Sequence, residues 1–152
     1  MSDRAVIKGH TIHRTIRLEA PLDRVWAALT EAELLGQWFS DSATFEGTIA
    51  VGSTGVFAWE GHGEFAVVFE ELEPKSVAAW RWAGEPSLEL KDDDSTTARF
   101  TLEADGDATV LTVVESGFEK IAGGTAHRRR RLEDNRSGWD IELDELADLL
   151  DS

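Results

Sequence analysis

"RTIRLEAPLDRVWAALTEAELLGQWF", residues 14–39, changes its hydrophobic period at Pro21. Before the proline, Ile12, Ile16, Leu18 and Ala20 alternate with Thr11, His13, Thr15, Arg17 and Glu19, and a period of two describes a half-buried strand. Arg14 stands on the apolar row, either as an inward-facing polar group or with its head snorkelling past the strand end. Pro21 suits a first helical turn. After it, Leu22, Val25, Trp26 and Leu29 recur at i, i+3, i+4 and i+7, the stripe of a short amphipathic helix. Thr30 and Glu33 have the spacing of a capping box, which predicts a second short helix that Gly36 can end.

Beyond this stretch the period returns to two. From about residue 42 to 116, glycines punctuate short alternating runs. Phe57 and Trp59 share one row, Phe65, Val67 and Phe69 another, Ala78, Trp80 and Trp82 a third, and Ala98, Phe100 and Leu102 a fourth. Asp105-Gly106-Asp107 is a hairpin turn leading into "ATVLTVVESGF". The chain closes with a helix predicted from near Thr125 to Leu150, on which Leu132, Trp139, Leu143, Leu146 and Leu150 form one apolar stripe with Asn135 in its gap. A one-sided sheet needs cover, and only this helix is long enough to supply it. The expected fold is therefore α+β: a curved antiparallel sheet of six or seven strands around a long C-terminal helix, with two short helices after the first strand. Residues 1–152 read as one domain whose first eight or so residues are flexible.

Composition narrows the function. A formal charge of −15, from 30 acids against 15 bases, repels nucleic acid and anionic membrane surfaces. The chain has no cysteine, which excludes disulfides, thiolate catalysis and cysteine-bound metals. "MSDRAVIKGH" lacks the apolar centre of a signal peptide, and no apolar run is long enough to span a membrane, so a cytoplasmic location is expected. His10 and His13 face opposite sides of a strand, His62 sits in a glycine-flanked turn, and no ligand-spaced histidine pair occurs, so no metal is expected. Nucleophile elbows, phosphate loops and dinucleotide fingerprints are missing, and no cofactor is expected.

Three segments together resemble a known family. The first is the opening stretch, with a strand ending in Ala20-Pro21, Val25-Trp26 on the first helix and Trp38-Phe39 after the second. The others are "STTARFTLEADGDATVLTVVESGFE" (95–119) and "DNRSGWDIELDELADLL" (134–150), where Asn135 stands a few residues before Gly138-Trp139. They are similar to the START-like helix-grip superfamily (SRPBCC), in its branch of heat-shock-protein ATPase activator homologues, which also takes in cyclase- and dehydratase-like proteins. The resemblance covers roughly residues 10–150. It implies the helix-grip fold and a cavity for diverse apolar molecules. Many relatives carry a histidine before the Ser-Gly that follows the last strand; here that residue is Glu115, so any role of the histidine does not transfer.

The aromatic rows then have two readings. Either Trp59, Phe69, Trp80, Trp82, Phe100 and Trp139 pack on one another as solid core, or they line a pocket at one end. In a pocket, each buried CH2 of a ligand contributes about 0.8 kcal/mol, enough to hold a ligand of about ten carbons. Trp38-Phe39 either gates the mouth or anchors the second helix to the sheet. Arg14, Glu60, Glu64, Glu115 and Asn135 are the inward polar candidates for proton chemistry, and strand phase does not place the glutamates. The expected function is binding of a small hydrophobic ligand (a lipid, polyketide or isoprenoid-like molecule) between sheet and helix. A cyclase- or dehydratase-like enzyme using the same pocket and a chaperone-cofactor type module with a protein partner or homodimer are the alternatives.

The run "HRRRRLEDNR", residues 127–136, has five arginines against two acids, whereas 137–152 has six acids and no base. That polarity opposes the helix macrodipole, so apolar burial must hold the helix in place. Successive arginines lie about 100° apart on a helix, which makes the run a solvated turn rather than a phosphate grip. Arg129–Glu133, Arg130–Asp134 and Arg136–Asp140 are spaced as i, i+4 pairs. Arg131 and Asn135, one turn apart, are the expected polar handles for an anionic ligand if their face overlooks the pocket.

Overall fold

In the computed structural model, which describes residues 4–151, the alternating runs form one eight-stranded sheet. The strands are β1 (Val6–Lys8), β2 (Thr11–Leu18), β3 (Ser42–Phe45), β4 (Thr54–Trp59), β5 (Gly63–Glu73), β6 (Val77–Ala83), β7 (Ser95–Asp105) and β8 (Ala108–Ser116). Every neighbouring pair is antiparallel, in the order β1-β2-β8-β7-β6-β5-β4-β3. The count is eight rather than six or seven because β1 and β3, of three and four residues, are too short to display a period of two. They form the two edges of the sheet. Of the first eight residues, expected to be flexible, 1–3 lie outside the described residues and 6–8 form β1.

Helices α1 (Leu22–Thr30) and α2 (Ala32–Trp38) carry the chain from β2, near one edge, to β3 at the other. Their termini differ from the predicted ones. Pro21 is the N-cap residue of α1, with extended φ and ψ of −71° and 161°, and not part of its first turn. Thr30 closes α1 and its hydroxyl donates back to Trp26 O at 2.8 Å, so it forms no capping box with Glu33; α2 starts from Glu31 without a side-chain cap. Gly36 lies inside α2 rather than ending it. A Cβ there would sit 3.4 Å from Ala43 N and 3.6 Å from Ser42 Cα, in ordinary contact with the start of β3.

The predicted long helix, α3, runs from Thr125 to Leu150. Leu132, Trp139, Leu143, Leu146 and Leu150 are all buried, joining Ile12, Leu29, Leu35, Phe69, Trp80, Phe100 and Val113 in one core. Arg14 faces inward, and is only 4% exposed. It donates to Trp139 O at 3.3 Å and Asp140 O at 3.1 Å and pairs with Asp144 Oδ1 at 3.0 Å, tying β2 to the middle of α3. Asp140 in turn accepts from Ala5 N at 2.8 Å, which fastens the chain just before β1 to the same helix. At the β7–β8 turn, Asp105 pairs with Ala108 and Gly106 takes φ of 63°, the left-handed geometry a two-residue hairpin loop demands.

Candidate functional site

Phe39, the residue after α2, sets its ring at the centre of an aromatic cluster. Its centroid lies 4.9 Å from Phe57, 5.3 Å from Trp59, 5.1 Å from Trp80, 5.3 Å from Trp82 and 5.6 Å from Trp139. Deep in the sheet the packing is solid. Trp80, Phe69 and Phe100 are fully buried, with ring separations of 5.6 Å for Phe69–Trp80 and 4.9 Å for Trp80–Phe100. Trp38 is also buried, and its indole N–H donates to Ala28 O at 2.8 Å, which pins α2 to α1.

Toward the β4 side the packing opens. Phe39, Trp59, Trp82 and Trp139 wall a cleft of about 130 Å³ between sheet and α3, completed on the helix by Asp134, Asn135, Gly138 and Glu142. Of the predicted ligand-binding residues, Trp59, Trp82, Asn135 and Trp139 meet here, whereas Trp38, Phe69, Trp80 and Phe100 lie in the solid part of the core. Phe39, Gly138 and Glu142 were absent from that set. For Glu142 the signal was its place at +4 and +3 with Asn135 and Trp139, beside the apolar stripe. Gly138 matters by what it lacks: nothing lies within 4 Å of where its Cβ would be.

Two carboxyl groups belong to this region. Glu115 is fully buried and sits behind the walls. It accepts from Trp82 Nε1 at 3.1 Å, Thr96 Oγ1 at 2.5 Å, Trp139 Nε1 at 2.8 Å, and Asn135 Nδ2 at 3.1 and 3.0 Å. Burial raises its pKa, and the bonds from Thr96, Trp139, Asn135 and Trp82 pull it back. Three lining residues are therefore oriented by one carboxyl group. Glu60 and Glu64, the other glutamates considered for inward positions, are exposed.

Glu142, at the cleft itself, is partly buried, and its Oε2 is a buried acceptor with no hydrogen-bond partner. Burial first, then the charges of Glu145 and Asp41, push its pKa up to about 8, against a smaller opposing effect of the Trp59 indole N–H. The carboxyl at the cleft is mostly protonated at neutral pH and ionises just above it.

Arg131 is placed elsewhere. Its side chain is 8% exposed and pairs with Asp94 Oδ1 at 3.2 Å, away from the cleft. Its guanidinium lies over Gly84, where a Cβ would come within 1.9 Å of Nη2, and it fastens the loop between β6 and β7 to α3. Arg136 pairs with Glu133 at 3.3 Å and Asp140 at 3.9 Å. The expected Arg129–Glu133 and Arg130–Asp134 pairs do not form among the described residues, where neither arginine has a carboxylate within ion-pair distance. Among the described residues no group of three histidines or acids is placed to hold a metal ion, and no helix is long and apolar enough to cross a membrane.

The family model described as activator of Hsp90 ATPase homolog 1-like protein matches residues 19–151. No protein with a curated description matches. The Aha1 dimer from Colwellia psychrerythraea superposes with a TM-score of 0.72 at 23% identity, covering 92% of this chain and 95% of that one. CalU16 from Micromonospora echinospora gives 0.66 at 20%, covering 98% and 83%. DynU16, a protein in the dynemicin biosynthetic locus, gives 0.72 at 22% and covers 95% of this chain, which spans only 48% of that protein. At such identities the likeness establishes the helix-grip fold.

Proposed function

The chain belongs to the activator of Hsp90 ATPase homolog 1-like family, and on that premise we propose that it is a binding module taking a small group of a ligand into the cleft between sheet and α3. One observation carries the reading: the otherwise solid aromatic core opens into a cleft beside Gly138, lined by four rings and the Glu142 side chain. The volume also limits the ligand. An apolar cavity of about 150 Å³ holds benzene, so about 130 Å³ takes one ring or a branched head group and leaves the rest of a lipid or polyketide outside. The likeness to a protein of a biosynthetic locus supports a small-molecule ligand over a protein segment.

The test is a titration of the 15N-labelled indole resonances with a ring-sized probe such as toluene. Shifts confined to Trp59, Trp82 and Trp139, with Trp38 and Trp80 still, are expected, and Gly138→Leu should abolish them by filling the opening. No indole shift at probe saturation would end the proposal. Because the Colwellia relative is a dimer, we also propose that this chain self-associates; sedimentation at increasing concentration tests it, a constant monomer mass being the contrary result.

A further inference from the structure

Resting on that cleft as the binding site, the geometry points to its ligand class: we propose that the group it takes is an organic monocation, an alkylammonium head whose charge lies against the tryptophan faces and the Glu142 carboxyl. Ring faces carry negative potential, and cations within about 6 Å of a ring centroid are attracted to it. The rings of Trp59, Trp82 and Trp139 line one opening together with Phe39, their centroids 5.3, 5.3 and 5.6 Å from that of Phe39.

The ionisable side chains that line the opening are all acids. Asp134 and Glu142 line it, with no lysine, arginine or histidine among the lining residues. Asp41, from the connection between α2 and β3, and Glu145, from α3, add negative charge beside Glu142. Glu115 adds another acid beneath the floor, held by four neutral donors. Among the arginines of α3, Arg131 pairs with Asp94 and Arg136 with Glu133 and Asp140, and none lines the opening. The expectation of an anionic ligand held by Arg131 and Asn135 is therefore replaced: Arg131 does not reach the cleft, and the Asn135 amide is spent on Glu115. An anion would meet two acids and no cationic side chain among the lining residues.

A neutral apolar ligand would fill the space with no charge to set against the Glu142 carboxyl, whereas a cation is attracted to it once it is ionised. The volume suits a trimethylammonium or small cyclic ammonium head, and the net charge of −15 draws cations from solution. Because Glu142 ionises near pH 8, cation binding should strengthen as the pH rises through that value and should release a proton below it.

The experiment compares benzyltrimethylammonium with neopentylbenzene, its neutral isostere, and with benzoate, on the whole chain by the same indole resonances. At about pH 9 the cation is expected to bind at least tenfold more tightly than the isostere, and benzoate not at all. Its affinity should fall several-fold at about pH 6, and Glu142→Gln should collapse the preference for cation over isostere to about threefold or less. If the isostere binds as tightly as the cation on the same indoles, the cationic class is refuted while the cleft stands as an apolar site. If no probe moves the indoles of Trp59, Trp82 and Trp139, the cleft itself is refuted along with it.

Discussion

Glu115 and Glu142 are both carboxyls displaced from water, and their partners give them different work. Glu115 has its oxygens filled by four donors from β6, β7 and α3, so it acts as a fastener for the cleft walls. Glu115→Gln turns an amide N–H2 toward groups that also donate, and should cost about 1–3 kcal/mol in urea unfolding while shifting the indole resonances of Trp82 and Trp139. Glu142 has one oxygen with nothing to accept from. Its folded pKa, about 8, lies above its unfolded value of 4.5, so the folded state binds the extra proton between them. Its contribution to stability is complete below the unfolded value and disappears as the pH rises through the folded one. Thermal midpoints should accordingly fall between about pH 5 and 8, and Glu142→Gln should flatten that slope; an unchanged slope in the variant would rule out Glu142 as its source. Neither role was legible in the residues. Glu115 could be suspected as inward-facing, but strand phase alone did not separate it from Glu60 and Glu64. Glu142 reads as one more solvated acid on an acidic helix half until its neighbours are placed around it.

At the level of elements, α3 shows how strongly burial can override local charge. It starts with arginines and ends with acids, has no side-chain N-cap, and carries glycine at position 138, well inside its 26 residues. Its bounds nevertheless match those read from the apolar stripe, because five buried side chains and the Arg14 clamp outweigh dipole terms of a few tenths to one kcal/mol each. Gly138 is the place where this helix forgoes stability for space. Gly138→Ala should raise stability by about 0.5–1 kcal/mol, since no atom obstructs the new methyl, while lowering affinity for ring-sized probes. Chemical denaturation and the indole titration measure the two effects separately. The long strands and α3 were legible because their periods repeat. The edge strands were not, being shorter than the pattern needed to detect them, and the Thr30–Glu33 capping box failed because α1 and α2 abut, leaving Thr30 to end one helix instead of starting the next.

For the whole molecule, the charge of −15 sets a background of self-repulsion over a core that does not depend on it. Raising NaCl from about 0.01 to 0.5 M should therefore increase the calorimetric midpoint by a few degrees and weaken cation binding in parallel. A falling midpoint would mean that exposed ion pairs such as Arg99–Glu71, 2.9 Å apart, contribute more than the repulsion costs. Sequence alone determined the layers of this protein. Alternation and a 3.6-residue period dictate which side chains must leave water, and a one-sided sheet followed by one long helix leaves little choice of how to cover it. Only the tertiary structure decided where the core stops being solid. That depends on how rings from α2, β4, β6 and α3 fit against each other and around a missing side chain at position 138, and such a fit is a property of distances between segments far apart in the chain, to which no local period corresponds.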